Sequence, residues 1–200
     1  MRYQYPLKMS FKIVAVAPQI YVRDAQGTDL FYVKQKLLKL KEDIGVFSDS
    51  SKSRQLFTIK ADRIIDFSAK YHFTSSTDNR PLGAVKREGM KSLWRASYQI
   101  SNPAEQPLHT IREGNPWAKV GDGCMSSLPM LGLLSGYFFH PSYIVYQTGT
   151  ETPLMKLEKQ PAFFEGVFKI EALAPNLSDE DETRFLLSFI MMILLERQRG

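Results

Sequence analysis

Three histidines, one cysteine and a run of four acids are the residues with which this chain could do catalysis or hold a metal. His72, His109 and His140 are widely separated. None has a second histidine or a cysteine at the short spacing that places two ligands on one metal. Cys124 lies within "CMSSLPMLGLLSGYFF", where apolar neighbours keep a thiol protonated and inert. "DEDE" at 179–182 lacks the alternating oxygen ligands and the central glycine of a calcium loop, so it reads as the charged start of a helix. "GDG" at 121–123 reads as a turn. No phosphate-cradling Walker sequence, dinucleotide fingerprint or nucleophile elbow is present. The residues nominate no catalytic group, no metal site and no cofactor, and the expectation is a protein that is not an enzyme.

Clustered cations remain. "KQKLLKLK" places Lys34 and Lys36 two apart, on one face of a strand. "RPLGAVKREGMKSLWR" adds Lys86, Arg87, Lys91 and Arg95 against one acid, Glu88. The net charge is +5. Two readings stand. The cations are the solvated face of a sheet, where lysine also discourages edge pairing, or they form a surface for phosphate headgroups, since ammonium and guanidinium groups attract multiply charged anions. A second candidate surface is apolar: Met130, Leu133, Leu134, Tyr137 and Phe138. That segment is a helical hairpin capping a barrel mouth, a surface that dips into a membrane or docks a protein partner, or a lid that gates a ligand. Two functions from different classes follow. One is a binding module for anionic phospholipid, phosphoinositide or a similar phosphorylated ligand at the cytoplasmic membrane face. The other is a soluble scaffold that docks a protein through the apolar segment. Nucleic acid is not an expected partner, because no recognised module accompanies Trp94 and Arg95.

The elements that would position these groups are mostly strands. "FKIVAVA" (11–17) and "QIYVRDA" (19–25) are β-rich and broken by Pro18. "DAQGTD" is a glycine-centred turn leading into "LFYVKQK". In "AKYHFTS", Lys70, His72 and Thr74 alternate with Tyr71 and Phe73, which predicts a half-buried strand. The series continues through "WRASYQI" and resumes with "SYIVYQT", "PLMKLEKQ" and "GVFKIEAL". Residues 102–141, with Pro116, Pro129, Gly132 and Gly136, read as a helical insertion. "FLLSFIMMILL" (185–195) is apolar on every side, so it must be enclosed on every side. A helix of that length covers about 17 Å where a bilayer core needs about 30 Å, so no transmembrane span is expected. Ser178 and Asp181 form a capping pair, and Ser188, the one polar residue of the run, can bond its own backbone a turn back. The predicted fold is one mainly β domain over 1–200: an antiparallel barrel of about twelve strands enclosing a central helix at 178–199. One cysteine and no targeting segment predict a cytoplasmic location, peripheral at the membrane if lipid is the ligand.

"IYVRDAQGTDLFYVKQKLLKLKEDIGVFSD", "KADRIIDFSAKYHF" and "GAVKREGMKSLWRASYQI", closing on an apolar C-terminal helix, resemble the tubby C-terminal-like superfamily, in particular its LURP-one-related and phospholipid scramblase branch. The resemblance covers most of residues 10–100 and 142–200 and departs over 102–141. It implies a twelve-stranded barrel wound around the C-terminal helix. It also implies work at membranes, since tubby domains bind phosphoinositides through basic residues on neighbouring strands. No binding residue carries over by position, so the named lysines and arginines rest on charge alone.

Overall fold

The structure, a computed structural model, describes residues 2–12, 18–34, 43–63, 69–88, 97–114, 142–162 and 165–199. Twelve strands close into a barrel in which each is antiparallel to both neighbours, and β1 meets β12 to complete the ring. They are β1 (Leu7–Lys12), β2 (Gln19–Arg23), β3 (Asp29–Lys34), β4 (Ile44–Phe47), β5 (Gln55–Ala61), β6 (Lys70–Ser75), β7 (Pro81–Glu88), β8 (Ser97–Ser101), β9 (Pro107–Glu113), β10 (Ser142–Gln147), β11 (Pro153–Gln160) and β12 (Glu165–Ala172). The helix α1 (Asp179–Arg199) runs through the middle. Inward side chains such as Met9, Val22, Phe31, Ile59, Phe73 and Ile170 meet Phe185, Phe189, Ile190 and Leu194 of α1, all almost fully buried. Closure removes the sheet edges, and the helix fills a lumen that twelve strands would otherwise leave hollow.

Two expectations are corrected. β1 begins at Leu7, earlier than "FKIVAVA" suggested, because the alternation of Leu7, Met9 and Phe11 with Lys8, Ser10 and Lys12 already makes a strand; residues 13–17 lie outside the described residues. Residues 107–113, assigned to the helical insertion, form β9. His109 and Ile111 point inward while Thr110 and Arg112 point outward, and the strand pairs with β8 and β10. The interruption between β9 and β10 therefore starts at Gly114, and 115–141 lie outside the described residues.

Alternating strand direction sorts the connections to two ends. Turns leading from even to odd strands, and from β12 into α1, share the end where α1 begins, the amino end. The β1–β2, β3–β4, β5–β6, β7–β8, β9–β10 and β11–β12 connections belong to the opposite, carboxyl end. The helix contacts agree: Glu180 pairs with Arg80 before β7 starts, whereas Glu196 meets Arg87 near its end. Amino-end turns are tight and polar. In the β2–β3 turn, Asp24 Oδ1 accepts from the Gln26 and Thr28 amides, and Gly27 takes φ +85°.

Polar anchors fix the start of α1. Ser178 Oγ accepts from the Asp181 amide at 3.0 Å and donates to the Asp181 carboxylate at 2.7 Å, as a capping pair should. Thr183, not Ser188, bonds the backbone one turn back, at 2.7 Å from Asp179 O; Ser188 Oγ is buried with no partner among the described residues. Arg184 reaches the wall, its Nε donating to Leu82 O at 2.6 Å and its guanidinium pairing with Glu180 and Asp181. Gly83 permits the close approach of β8: at φ +130°, a Cβ there would lie 2.2 Å from Ser101 O, with Arg184 Cδ at 3.3 Å. Glu182, fully buried, accepts from the Arg2 amide at 2.5 Å and ties the chain's start to the helix.

Candidate functional site

Lys86 and Arg87 are successive residues of β7, so they face opposite sides of the wall. Arg87 shares the inward phase of Val85 and stands opposite Tyr98, also inward. Its Nη2 lies 3.8 Å from Glu196 of α1, with the arginine side chain 17% exposed. Tyr98 donates its hydroxyl to the same carboxylate. Burial, reinforced by the bond to Glu196 and its charge, pushes the Tyr98 phenol well above its usual range. Tyr143 is pushed up to about 12, by burial first and then by the charges of Glu196 and Glu113, with Arg87 opposing. Arg87 is thus a brace between wall and helix at the carboxyl end and takes no part in an outer cationic surface.

Lys86 points outward. The register sets it between Lys70 on β6 and Gln99 on β8. Two lysines directly opposite on one face repel, and the Lys70 ammonium relieves this by pairing with Glu105 at 3.1 Å.

Lys34 closes β3 and is exposed. Three strands separate β3 from β7, so Lys34 and Lys86 do not share a patch, although both lie toward the carboxyl end. The register supplies a different neighbour. Lys12 on β1 pairs with Gln19 on β2, and Gln19 pairs with Lys34 on β3. These three side chains form one outward row across three strands. Adjacent strands lie about 4.8 Å apart, so the two lysine Cα atoms are separated by about 10 Å. Two lysine side chains, each reaching about 6 Å, can meet over the glutamine between them. On its other side β1 pairs with β12.

One step down the same face, Tyr21 and Tyr32 form the next row, with ring centroids 4.8 Å apart. Lys12 Nζ sits 5.3 Å from the Tyr21 ring and the Arg23 guanidinium 4.6 Å from it, while Arg23 also pairs with Asp29 at 2.6 Å. The Tyr21 hydroxyl donates to Gln19 Oε1 at 3.2 Å. Burial, and the neighbouring Tyr21, raise the Tyr32 phenol above its usual range. The cations stand on an aromatic base that holds them without cancelling their charge. The arrangement can receive an anion with several oxygens through two ammonium groups and one amide.

Lys12 and Gln19 were not among the residues nominated from the sequence. The alternation of "LKMSFK" gives Lys12's face, but only the long-range register shows what stands beside it. Lys36, Lys91 and Arg95, and the apolar surface of Met130, Leu133, Leu134, Tyr137 and Phe138, lie outside the described residues. Among the described residues no helix is long and apolar enough to cross a membrane.

Compared with known protein families, residues 28–176 match the one described as LURP-one-related. Neither curated proteins nor solved structures give a significant match.

Proposed function

The chain belongs to the LURP-one-related family, and from that premise we propose that it is a non-enzymatic module binding anionic phospholipid headgroups, phosphoinositides included, at the cytoplasmic face of a membrane. The observation that carries this reading is the register placing Lys12 and Lys34 on either side of Gln19 in one outward row. A phosphate bridging the two ammonium groups would gain charge-assisted hydrogen bonds from both and a further one from the amide. The mild positive charge of the whole chain would bring anionic surfaces toward it.

The test is vesicle co-sedimentation at low and high salt, with phosphatidylcholine alone and with added phosphatidylserine or phosphoinositide. Wild type should bind only the anionic vesicles, and more weakly at high salt. Each basic group near such a surface contributes about 1 kcal/mol. The double reversal Lys12→Glu/Lys34→Glu turns two attractions into repulsions, removing about 4 kcal/mol, or roughly a thousandfold in affinity. A wild-type protein that binds no anionic vesicle would refute the reading; binding that survives the reversal would move it off this row.

A further inference from the structure

The amino-end hairpins repeat one another. Leu30, Leu56, Leu82 and Leu108 follow at intervals of 26 residues, and each is the second residue of an odd strand. The pairing steps over all of them. Val22 faces Phe31 while Arg23 faces Asp29, and the same skip recurs at Leu56, Leu82, Leu108 and, in β11, Leu154. A bulge at one place in five hairpins marks copies of one two-stranded unit. The fourth residue after the leucine points outward, and in β3, β5, β7 and β9 it is a cation: Lys34, Lys60, Lys86 and Arg112. Glu158 takes that place in β11.

The chain thereby supplies its own comparison for Lys34. Lys60 lies 3.6 Å from Asp43, and Lys86 faces Lys70, which Glu105 holds at 3.1 Å. Two other outward rows gather cations, and acids hold both. Arg112 and Lys156 flank Ile144, held by Glu151 at 2.8 Å and Glu158 at 2.9 Å. Lys169, Lys8 and Arg23 run across β12, β1 and β2, the outer two held by Glu171 and Asp29 at 2.6 Å each. In the Lys12–Gln19–Lys34 row, neither lysine has an ion pair among the described residues, and the residue between them is a hydrogen-bonding amide where the Arg112 row has isoleucine.

The three side chains of this row face outward as donors. Lysine has no acceptor, and the Oε1 of Gln19 is already engaged by the Tyr21 hydroxyl, which leaves the amide N–H. A headgroup that suits such a row is rich in acceptors and carries no cation of its own. Phosphatidylserine fits poorly, because its ammonium would stand against two lysines. Its phosphodiester also has only two free oxygens and a single charge. A terminal phosphate monoester has three free oxygens, one for each donor, and about −1.5 to −2 charge near neutrality.

We infer that the Lys12–Gln19–Lys34 row selects a terminal phosphate monoester, as phosphatidic acid presents, over phosphodiester headgroups. The inference rests on the headgroup-binding reading and narrows its ligand.

Vesicle co-sedimentation tests it with phosphatidic acid and phosphatidylserine, each diluted in phosphatidylcholine to one surface potential at each pH. The second proton of a monoester leaves near pH 6, so its doubly charged form falls from nearly all at about pH 7.5 to about a quarter at about pH 5.5. Affinity for phosphatidic acid should exceed that for phosphatidylserine by about fivefold at the higher pH, the equivalent of one further cation contact. It should fall about fourfold at the lower pH, with the doubly charged fraction. Histidine gains charge over the same interval, so binding to phosphatidylserine should hold or rise. Lys34→Gln should remove the preference and its pH dependence, whereas Lys156→Gln, in the acid-held row, should change neither. Soluble glycerol 3-phosphate at millimolar concentration separates the sources. Release of protein from phosphatidic acid shows that the row also takes the free monoester, and retention confines it to the lipid. Equal binding of the two lipids, or a preference that Lys34→Gln keeps, overturns the monoester assignment while leaving headgroup binding in place. Absence of binding to either lipid removes both readings together.

Discussion

Lys86 and Arg87 carry the same charge on adjacent residues, and the fold assigns them opposite fates under charge reversal. Arg87 points into the carboxyl end and lies 3.8 Å from Glu196, with side-chain exposures of 17% and 32%. Two unit charges about 4 Å apart at an effective dielectric of about 20 interact by about 4 kcal/mol. Solvent reaching Glu196 reduces this to roughly 2 kcal/mol. Arg87→Glu replaces that attraction with repulsion beside a carboxylate that already accepts from Tyr98, for a net loss of about 3 kcal/mol. Lys86→Glu removes a cation that opposes Lys70 across the outer face, and it should change stability by no more than about 0.5 kcal/mol. In a domain of this size about 1 kcal/mol shifts the melting temperature by about 2–4 °C, so Arg87→Glu should melt roughly 6–12 °C below wild type and Lys86→Glu within about 2 °C of it. Thermal unfolding followed by circular dichroism measures both. The exchange Arg87→Glu/Glu196→Arg should recover a large part of the loss. Equal shifts for the two single variants, or an exchange no better than Arg87→Glu alone, would refute the assigned faces of β7.

Two further outcomes follow from the interior. Phe189→Ala should destabilise by about 3–5 kcal/mol in denaturant unfolding, since the ring is fully enclosed and its loss leaves a cavity with no route to water; a loss under about 1 kcal/mol would mean that α1 is not enclosed. His109 lies edge-on to the Phe185 ring at 4.8 Å, and burial holds its pKa below the ordinary 6.5, aided by Arg184 and opposed by Asp181. The unfolded chain then binds this proton first, so the contribution is full above about pH 6.5 and is lost as pH falls through the folded value. Melting temperatures measured between about pH 8 and pH 5 should fall less steeply for His109→Gln than for wild type, and parallel curves would show that His109 does not titrate on unfolding.

Alternation carried most of the fold, and it failed where composition hid the phase. In "KYHFTS" the inward Tyr71 and Phe73 are set off by polar neighbours, so the face of β6 is legible. In "PLGAVKRE" no polar residue marks the outer face before Lys86, and the register shift opposite Phe73 adds an irregularity that no local pattern announces. The facing of Arg87 was therefore unreadable, and it was grouped with its neighbour by charge. Glu182 and Arg184 look like the exposed first turn of an amphipathic helix. They are buried because the barrel surrounds that turn too, which is a property of distant strands. The candidate site failed to show for a related reason. Lys12, Gln19 and Lys34 are brought together by the register of β1, β2 and β3, and within "FKIVAVA" no neighbouring cation marks Lys12. "HTIRE" was read into the insertion because glycine and proline follow it closely, yet its pairing with two strands decides the matter.

The position of α1 in the chain also has a kinetic side. The pair that closes the barrel joins residues 7–12 to residues 165–170, and the side chains that fill it come later still, from Phe185 to Leu194. A ribosome has made all twelve strands, which end at Ala172, before the core material from Phe185 to Leu194 exists outside its exit tunnel. Until then the inward faces of twelve strands have nothing to pack on, and hairpins formed early present apolar surface to any other nascent chain. Folding therefore waits on residue 194, and a product stalled or terminated before that point would be left as an aggregation-prone sheet for chaperones and proteases to handle.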